Sequence, residues 1–295
     1  MIDFDAIKNK LYNQARDLEV AIFNYHFMGD SNENAIISLS LFQNEDGGFH
    51  GVEPDLTNPN SSPFQTSVAL EVLTDLGVNA SNLDEFSSPM VEEALKYLDQ
   101  TLLNDRWPIT IESNNDFPCA VWWKHPKETT PYNPTASILA SILILTPKKR
   151  ALYNKAFNIA NNLIEGFMNN PTSEKHDLIC IAYLYQVMKD LGNYETFKDV
   201  LFKQIRNSIT PVTMWEGYAT TPIDYPLEPS NYGMDIDLVK ASLDYLKKTF
   251  KGSYWDITWT WMNDDEGFDV QSFKWHGIVA IKNLRFIKAY ERCCN

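Results

Sequence analysis

The feature that most limits what this chain can fold into is a recurrence. Asn44-Glu-Asp-Gly-Gly-Phe49 returns near the end as Asn263-Asp-Asp-Glu-Gly-Phe268. Weaker echoes lie between them at Asn104-Asp-Arg-Trp107, Glu165-Gly-Phe167 and Glu216-Gly-Tyr218. The aromatic positions 49, 107, 167, 218 and 268 are separated by 58, 60, 51 and 50 residues. Spacing that regular along the whole chain indicates repeated supersecondary units, each too small to bury its own apolar face.

The segments between the echoes read as helices. Apolar residues recur near every 3.6 positions over 5–25, 33–42, 63–76, 90–103 and 134–145, and again over 149–168, 173–189, 194–209, 234–250 and 270–290. Gly47 and Gly48 end one helix, and Phe49 must then be buried. Ser62-Pro63 starts the next, with serine as N-cap and proline at the first helical position. Asn133-Pro134 and Asn170-Pro171, the latter followed by Thr172-Ser173, repeat that device. Alternating Val, Ile and Thr runs are nearly absent, so no sheet is expected. Two antiparallel helices per repeat, used five or six times, predict an all-α chain: an α/α toroid, one domain over 1–295. Residues 219–268 show one clear helix where two are expected, which leaves the number of pairs open.

The opening stretch also carries a family resemblance. LFQNEDGGF (41–49) resembles the glutamine–tryptophan repeat of terpenoid cyclases and protein prenyltransferase β subunits, and SPFQTSVALEVLTDLG (62–77) is similar to the helix that follows it. The match is good in the first repeat, moderate in the last and poor in the middle three. In those families the glutamine caps a neighbouring helix end and the aromatic stacks on it. The resemblance therefore implies a structural fastening at Gln43 and Phe49.

Composition narrows the function classes. The formal net charge of −14 argues against a sequence-independent nucleic-acid binder and against attraction to an anionic membrane face. No run reaches membrane-span length, the longest apolar stretch being 138–145, and MIDFDAIKNK lacks the apolar core of a signal peptide. The four cysteines, Cys119, Cys180, Cys293 and Cys294, form no CxxC pair. Reduced thiols in a cytoplasmic protein are the expectation.

Candidate chemistry lies in the long loops 50–62, 108–133 and 219–233, which a toroid would gather over one end. They hold Glu53, Asp55, Asp116, Trp122, Trp123, His125, Asp224, Glu228, Tyr232 and Asp235. Glu53 and Asp55 are candidate catalytic carboxyls, and Trp122, Trp123, His125, Trp215, Glu228 and Tyr232 candidate substrate contacts. Carboxylates just before a helix are also ordinary caps. MDIDLVKASLDYL (234–246) resembles the DxDD motif of class II terpene cyclases. That resemblance implies Asp237 as the acid and Asp235 as its ionised partner, although Leu238 and Val239 depart from the motif. The alternative is an N-cap followed by a first-turn acid.

Asp264, Asp265 and Asp269 are similar to the magnesium-binding aspartates of class I synthases but wrongly spaced. His176 and Cys180, at i and i+4, could hold zinc, yet a buried structural thiol fits LICIAYLY better. No metal and no cofactor are expected, and no phosphate loop, GxSxG elbow or HExxH occurs.

Three functional readings follow. The resemblance implies a terpenoid-cyclase-like enzyme that folds a hydrophobic, polyprenyl substrate in an aromatic cavity and uses a carboxylic acid. Paired acids and tryptophan platforms fit a carbohydrate-active α/α-barrel hydrolase or lyase. A toroid that only binds or scaffolds is the third. They predict a deep aromatic pocket, an open carboxylate-lined groove and a filled centre respectively.

Overall fold

The computed structural model describes residues 2–127, 130–263 and 267–290. Asp264, Asp265, Cys293 and Cys294, named above, lie outside the described residues. Among the described residues there are α-helices and no strand. The helices are α1 (Phe4–Gln14), α2 (Asp17–Phe23), α3 (Glu33–Ser40), α4 (Pro63–Asp75), α5 (Ser87–Thr101) and α6 (Thr135–Leu145). They continue with α7 (Ala151–Asn169), α8 (Lys175–Met188), α9 (Glu195–Ser208), α10 (Ile236–Thr249) and α11 (Phe268–Tyr290). No helix is long and apolar enough to cross a membrane among these residues.

The expected helix over 5–25 is two helices. The chain leaves α1 at Ala15, in extended backbone, and re-enters at Asp17. Arg16 occupies the break, its guanidinium reaching both Glu19 oxygens and the carbonyls of Gly51 and Val52. A local turn of helix is exchanged there for four charge-assisted bonds across the fold.

Caps follow local chemistry. The Ser62 hydroxyl accepts from the Gln65 amide at 3.1 Å, with Pro63 at the first helical position. Ahead of α8 the cap is Glu174, accepting from the Asp177 amide, rather than the Thr172-Ser173 pair. Thr172 instead accepts from the Glu174 amide and shapes the approach.

The fastening at the first repeat is visible. Gln43 Nε2 donates to the Gly47 carbonyl and to the Met90 carbonyl of α5, each at 2.9 Å. Gly47 has φ +86°, and a Cβ there would stand 2.4 Å from the Glu93 carbonyl oxygen. Phe49 is fully buried, and its amide donates to the Thr66 hydroxyl of α4. The second repeat uses the same bond: the Trp107 amide donates to the Thr135 hydroxyl at the start of α6. A second device also repeats. Trp107 Nε1 donates to the Leu98 carbonyl nine residues earlier, and Trp255 Nε1 to the Leu246 carbonyl nine residues earlier.

The later echoes behave differently. Tyr218 is exposed and Phe268 begins α11, whereas Trp215 and Trp255 are the buried rings of that region.

Sequence neighbours pack as pairs: α2 with α3, α4 with α5, α6 with α7, α8 with α9 and α10 with α11. Helix α6 also packs on both α4 and α8, and α11 packs on α2. Helix α6 has ten of its eleven residues buried, which explains why TASILASILIL lacks a polar face. Each of its fully buried Ile or Leu side chains contributes about 1.5–3 kcal/mol.

Candidate functional site

A cavity of about 810 Å³ is walled by α2, α4, α8, α11 and the non-helical stretch Tyr225 to Leu227, with Ile144 at the end of α6. Its lining is mostly aliphatic: Val68, Val72, Ile144, Ile179, Val187 and Ile281 are representative. Tyr183, Tyr225 and Phe286 are its aromatic residues, and no tryptophan reaches it. Set in this surface are the carboxyls of Glu19, Glu71, Asp75, Asp190 and Asp224, and the cations of Arg16, Lys282 and Arg285.

The cations are already engaged. Arg285 grips Asp75 with two bonds of 2.6 and 2.7 Å, Lys282 meets Asp224 at 3.2 Å, and Arg16 holds Glu19. His26 Nε2 is a further partner of Asp75 at 3.0 Å. Burial pushes the Asp75 carboxyl up, but the His26 hydrogen bond and the Arg285 charge outweigh it and hold Asp75 below the usual carboxylate range. Asp224 is likewise held low against its burial by Lys282 and Lys175.

Glu71 is the exception. Burial drives its carboxyl from 4.5 to about 7, hydrogen bonds from Ser137 and Ser67 oppose the shift, and the Asp75 charge one turn later adds to it. Ser67 Oγ donates to Glu71 Oε1 at 3.2 Å. Nearby, the Tyr183 hydroxyl is 2.5 Å from the Thr74 hydroxyl and 3.4 Å from that of Ser141. Burial and the Glu71 charge push the Tyr183 phenol up, so it stays protonated. A carboxyl that exchanges its proton near neutrality, next to a fixed phenol donor and an ionised carboxylate, is equipped for general acid–base work.

These residues were not among the sequence candidates. Their signal is a polar stripe on otherwise apolar helices: Ser67, Glu71 and Asp75 at four-residue steps in α4, and Ser137 and Ser141 in α6.

The sequence candidates divide into groups. Glu53 and Asp55 are buried, at 9% and 1% exposure. The Asp55 carboxylate accepts from Trp259 Nε1 at 2.8 Å and Trp261 Nε1 at 2.7 Å. The Ala120 amide donates to the Asp55 carbonyl and the Val121 amide to the Trp261 carbonyl, which joins loop 50–62, loop 108–133 and segment 254–263. Trp123 is buried here against Phe64 at 4.3 Å, with Trp122 partly buried in the same cluster. The two adjacent tryptophans thus share one apolar cluster. His125 lies beside them, its Nδ1 3.1 Å from the Thr110 hydroxyl.

The remaining candidates lie elsewhere. Trp215 donates from Nε1 to the Thr210 carbonyl and packs on Tyr245. Glu228 accepts from the Ser230 amide and, through its carbonyl, from Tyr290 Oη. Tyr232 is fully buried and donates to the Pro226 carbonyl. Glu228 and Tyr232 therefore brace the stretch that forms part of the cavity wall without lining it. Asp116 is exposed.

Asp235 and Asp237 are exposed at the start of α10, and neither borders the cavity. Asp235 caps the helix by accepting from the Asp237 amide at 2.8 Å, and Asp237 faces Lys240 at 3.5 Å. Their geometry is that of a cap and a first-turn acid in water.

Nor do His176 and Cys180 converge on one site. His176 is exposed between Glu174 and Tyr218, whereas Cys180 is a buried thiol pushed up by burial and the Glu71 charge. No cluster of metal-binding side chains occurs among the described residues. No family model, curated protein or solved structure matches the chain.

Proposed function

We propose that the chain is an α/α toroid of six repeats, five of them α-helical pairs, and an enzyme that uses Glu71 as general acid on a small neutral substrate with a large apolar surface. The packing of alternate helices on one another, and of α11 on α2, supports the ring. The stretch 222–227, between α9 and α10, takes the fifth inner position with only a short 3-10 turn at Pro222–Asp224, which accounts for the missing α-helix in that repeat.

The observation that carries the catalytic reading is a carboxyl of pKa about 7 in the wall of an 810 Å³ cavity. Protonated Glu71 would give its proton to an oxygen of the substrate, Tyr183 would hold that oxygen by hydrogen bond, and the aliphatic wall would take the hydrocarbon body. With every cavity cation engaged and five carboxyls against three cations, a diphosphate would find no open partner. A neutral isoprenoid alcohol, ester or epoxide fits the charge balance, and the family resemblance points to the same class. A centre of this volume counts against a purely scaffolding toroid. The buried Glu53, with Asp55 two residues on held by two tryptophans, favours carbohydrate as a second reading.

The test is incubation of the purified chain with neutral isoprenoid alcohols, esters and epoxides, their diphosphates, and an oligosaccharide panel, followed by product analysis. Product from the neutral isoprenoids, lost in Glu71→Gln and kept in Asp237→Asn, is expected. A product undiminished by Glu71→Gln would remove Glu71 from the acid role. Turnover of oligosaccharides alone would select the second reading.

A further inference from the structure

A second polar site lies in the corner where loop 50–62 meets segment 254–263. Glu53 is more than nine-tenths buried, and its Oε2 has no hydrogen-bond partner among the described residues. A buried carboxyl oxygen left unmet costs about 1–3 kcal/mol or more, so such an atom calls for a partner. The nearby described cations, Arg16 and Lys274, do not supply one. Arg16 spends its donors on Glu19 and on the carbonyls of Gly51 and Val52. Lys274, half-buried beside Arg16 and Glu19, makes no ion pair within 4.0 Å among the described residues.

The Arg16 charge reaches Glu53, while Asp55 and the rings beside it suit a further cation. Asp55, two residues on, is fixed by two indole N–H groups and adds a second carboxylate. Trp259 meets Trp275 edge to face at 5.0 Å and Tyr218 at 6.0 Å, and ring faces attract cations. Trp275 Nε1 is buried without a partner among the described residues, a second unmet polar atom in the same corner.

We propose that this corner binds a primary ammonium group carried on an apolar body, its N–H donors on Glu53 and its carbon chain against Trp259 and Trp275. One of the ammonium's three donors would satisfy Oε2, and its charge would offset both carboxylates. Burial, and then the Asp55 charge, raise the Glu53 carboxyl well above its ordinary 4.5 against the Asp55 backbone hydrogen bond and the Arg16 charge, and a bound cation would lower it again and release protons. A neutral polyol would expel none.

Calorimetry of the whole chain with n-butylammonium, n-butanol and tetramethylammonium tests this, together with pH-stat recording in unbuffered potassium chloride near pH 6. The expected result is saturable n-butylammonium binding with proton release, at least tenfold tighter than either control, and at least tenfold weaker in Glu53→Gln. Equal binding of n-butanol, or binding without proton release, would overturn the proposal in the unaltered chain, whatever the variant's stability. No heat from n-butylammonium would overturn it as well. The measurement needs no turnover, so a failed search for the Glu71 substrate leaves its outcome unaffected.

Discussion

Replacing Glu71 by Gln should change stability in a pH-dependent way that few other substitutions would mimic. The folded carboxyl titrates at about 7 against an ordinary 4.5. The folded state therefore holds the proton more tightly than the unfolded chain. The stabilisation it brings is complete below 4.5 and is lost as pH rises through about 7. At about 1.4 kcal/mol per pH unit, the 2.5 units between those values amount to about 3.5 kcal/mol. The Glu71 side chain keeps a partly exposed edge on the cavity, so solvent reduces the working figure to about 2–3 kcal/mol. Glutamine has the shape of the protonated acid and no charge to desolvate. At pH 5 the two proteins should match within about 0.5 kcal/mol, and by pH 8.5 the variant should be the more stable by about 2–3 kcal/mol. Urea unfolding followed by circular dichroism at half-unit pH steps measures the difference directly. In thermal scans it corresponds to about 4–6 °C at the alkaline end. Parallel curves at every pH, or a variant weaker at pH 8.5, would show that the Glu71 carboxyl is not buried as described.

Three further outcomes are expected. Gly47→Ala forces a side chain into positive φ and against the Glu93 carbonyl, and should cost about 3 kcal/mol or more. Gly217→Ala, at φ +60° with open space around it, should cost only about 1–2 kcal/mol in the same denaturation assay, and equal costs would refute the close-approach argument. Trp261→Phe removes an N–H from the buried Asp55 side chain and should destabilise by about 2–4 kcal/mol in urea denaturation, and a cost under about 0.5 kcal/mol would refute the role of that bond. Arg285→Met breaks the fork on Asp75, a pair about one-third exposed on each side. It should cost only about 1 kcal/mol by urea denaturation while raising the Asp75 titration midpoint by carboxyl NMR.

The tie between α3 and α5 was legible because Gln43, Gly47 and Phe49 act within a few residues of one another. The regular spacing located the first three buried rings, at 49, 107 and 167, and then failed. In the later repeats Trp215 and Trp255 took the buried positions, because both anchor by indole N–H to the preceding helix end, which Tyr218 and Phe268 cannot do. The Asp235–Asp237 motif misled for a related reason. An acid pair before a helix looks the same in sequence whether it faces a cavity or water, and α10 presents it to water. The loop carboxyls Glu53 and Asp55 did come together with tryptophans, but Trp259 and Trp261, rather than Trp122 and Trp123, supply the N–H donors.

What the sequence alone determined is the helical class, the positions of ten of the helical runs and the cap at Ser62, since periodicity, proline and glycine act over a few residues. Only the tertiary structure decided which polar side chains share a hollow. Glu71, Ser137 and Tyr183 stand on three helices far apart in the chain and meet because α4, α6 and α8 pack side by side. Burial raises a carboxyl's proton affinity, and burial is a property of that packing, invisible in the residues around Glu71.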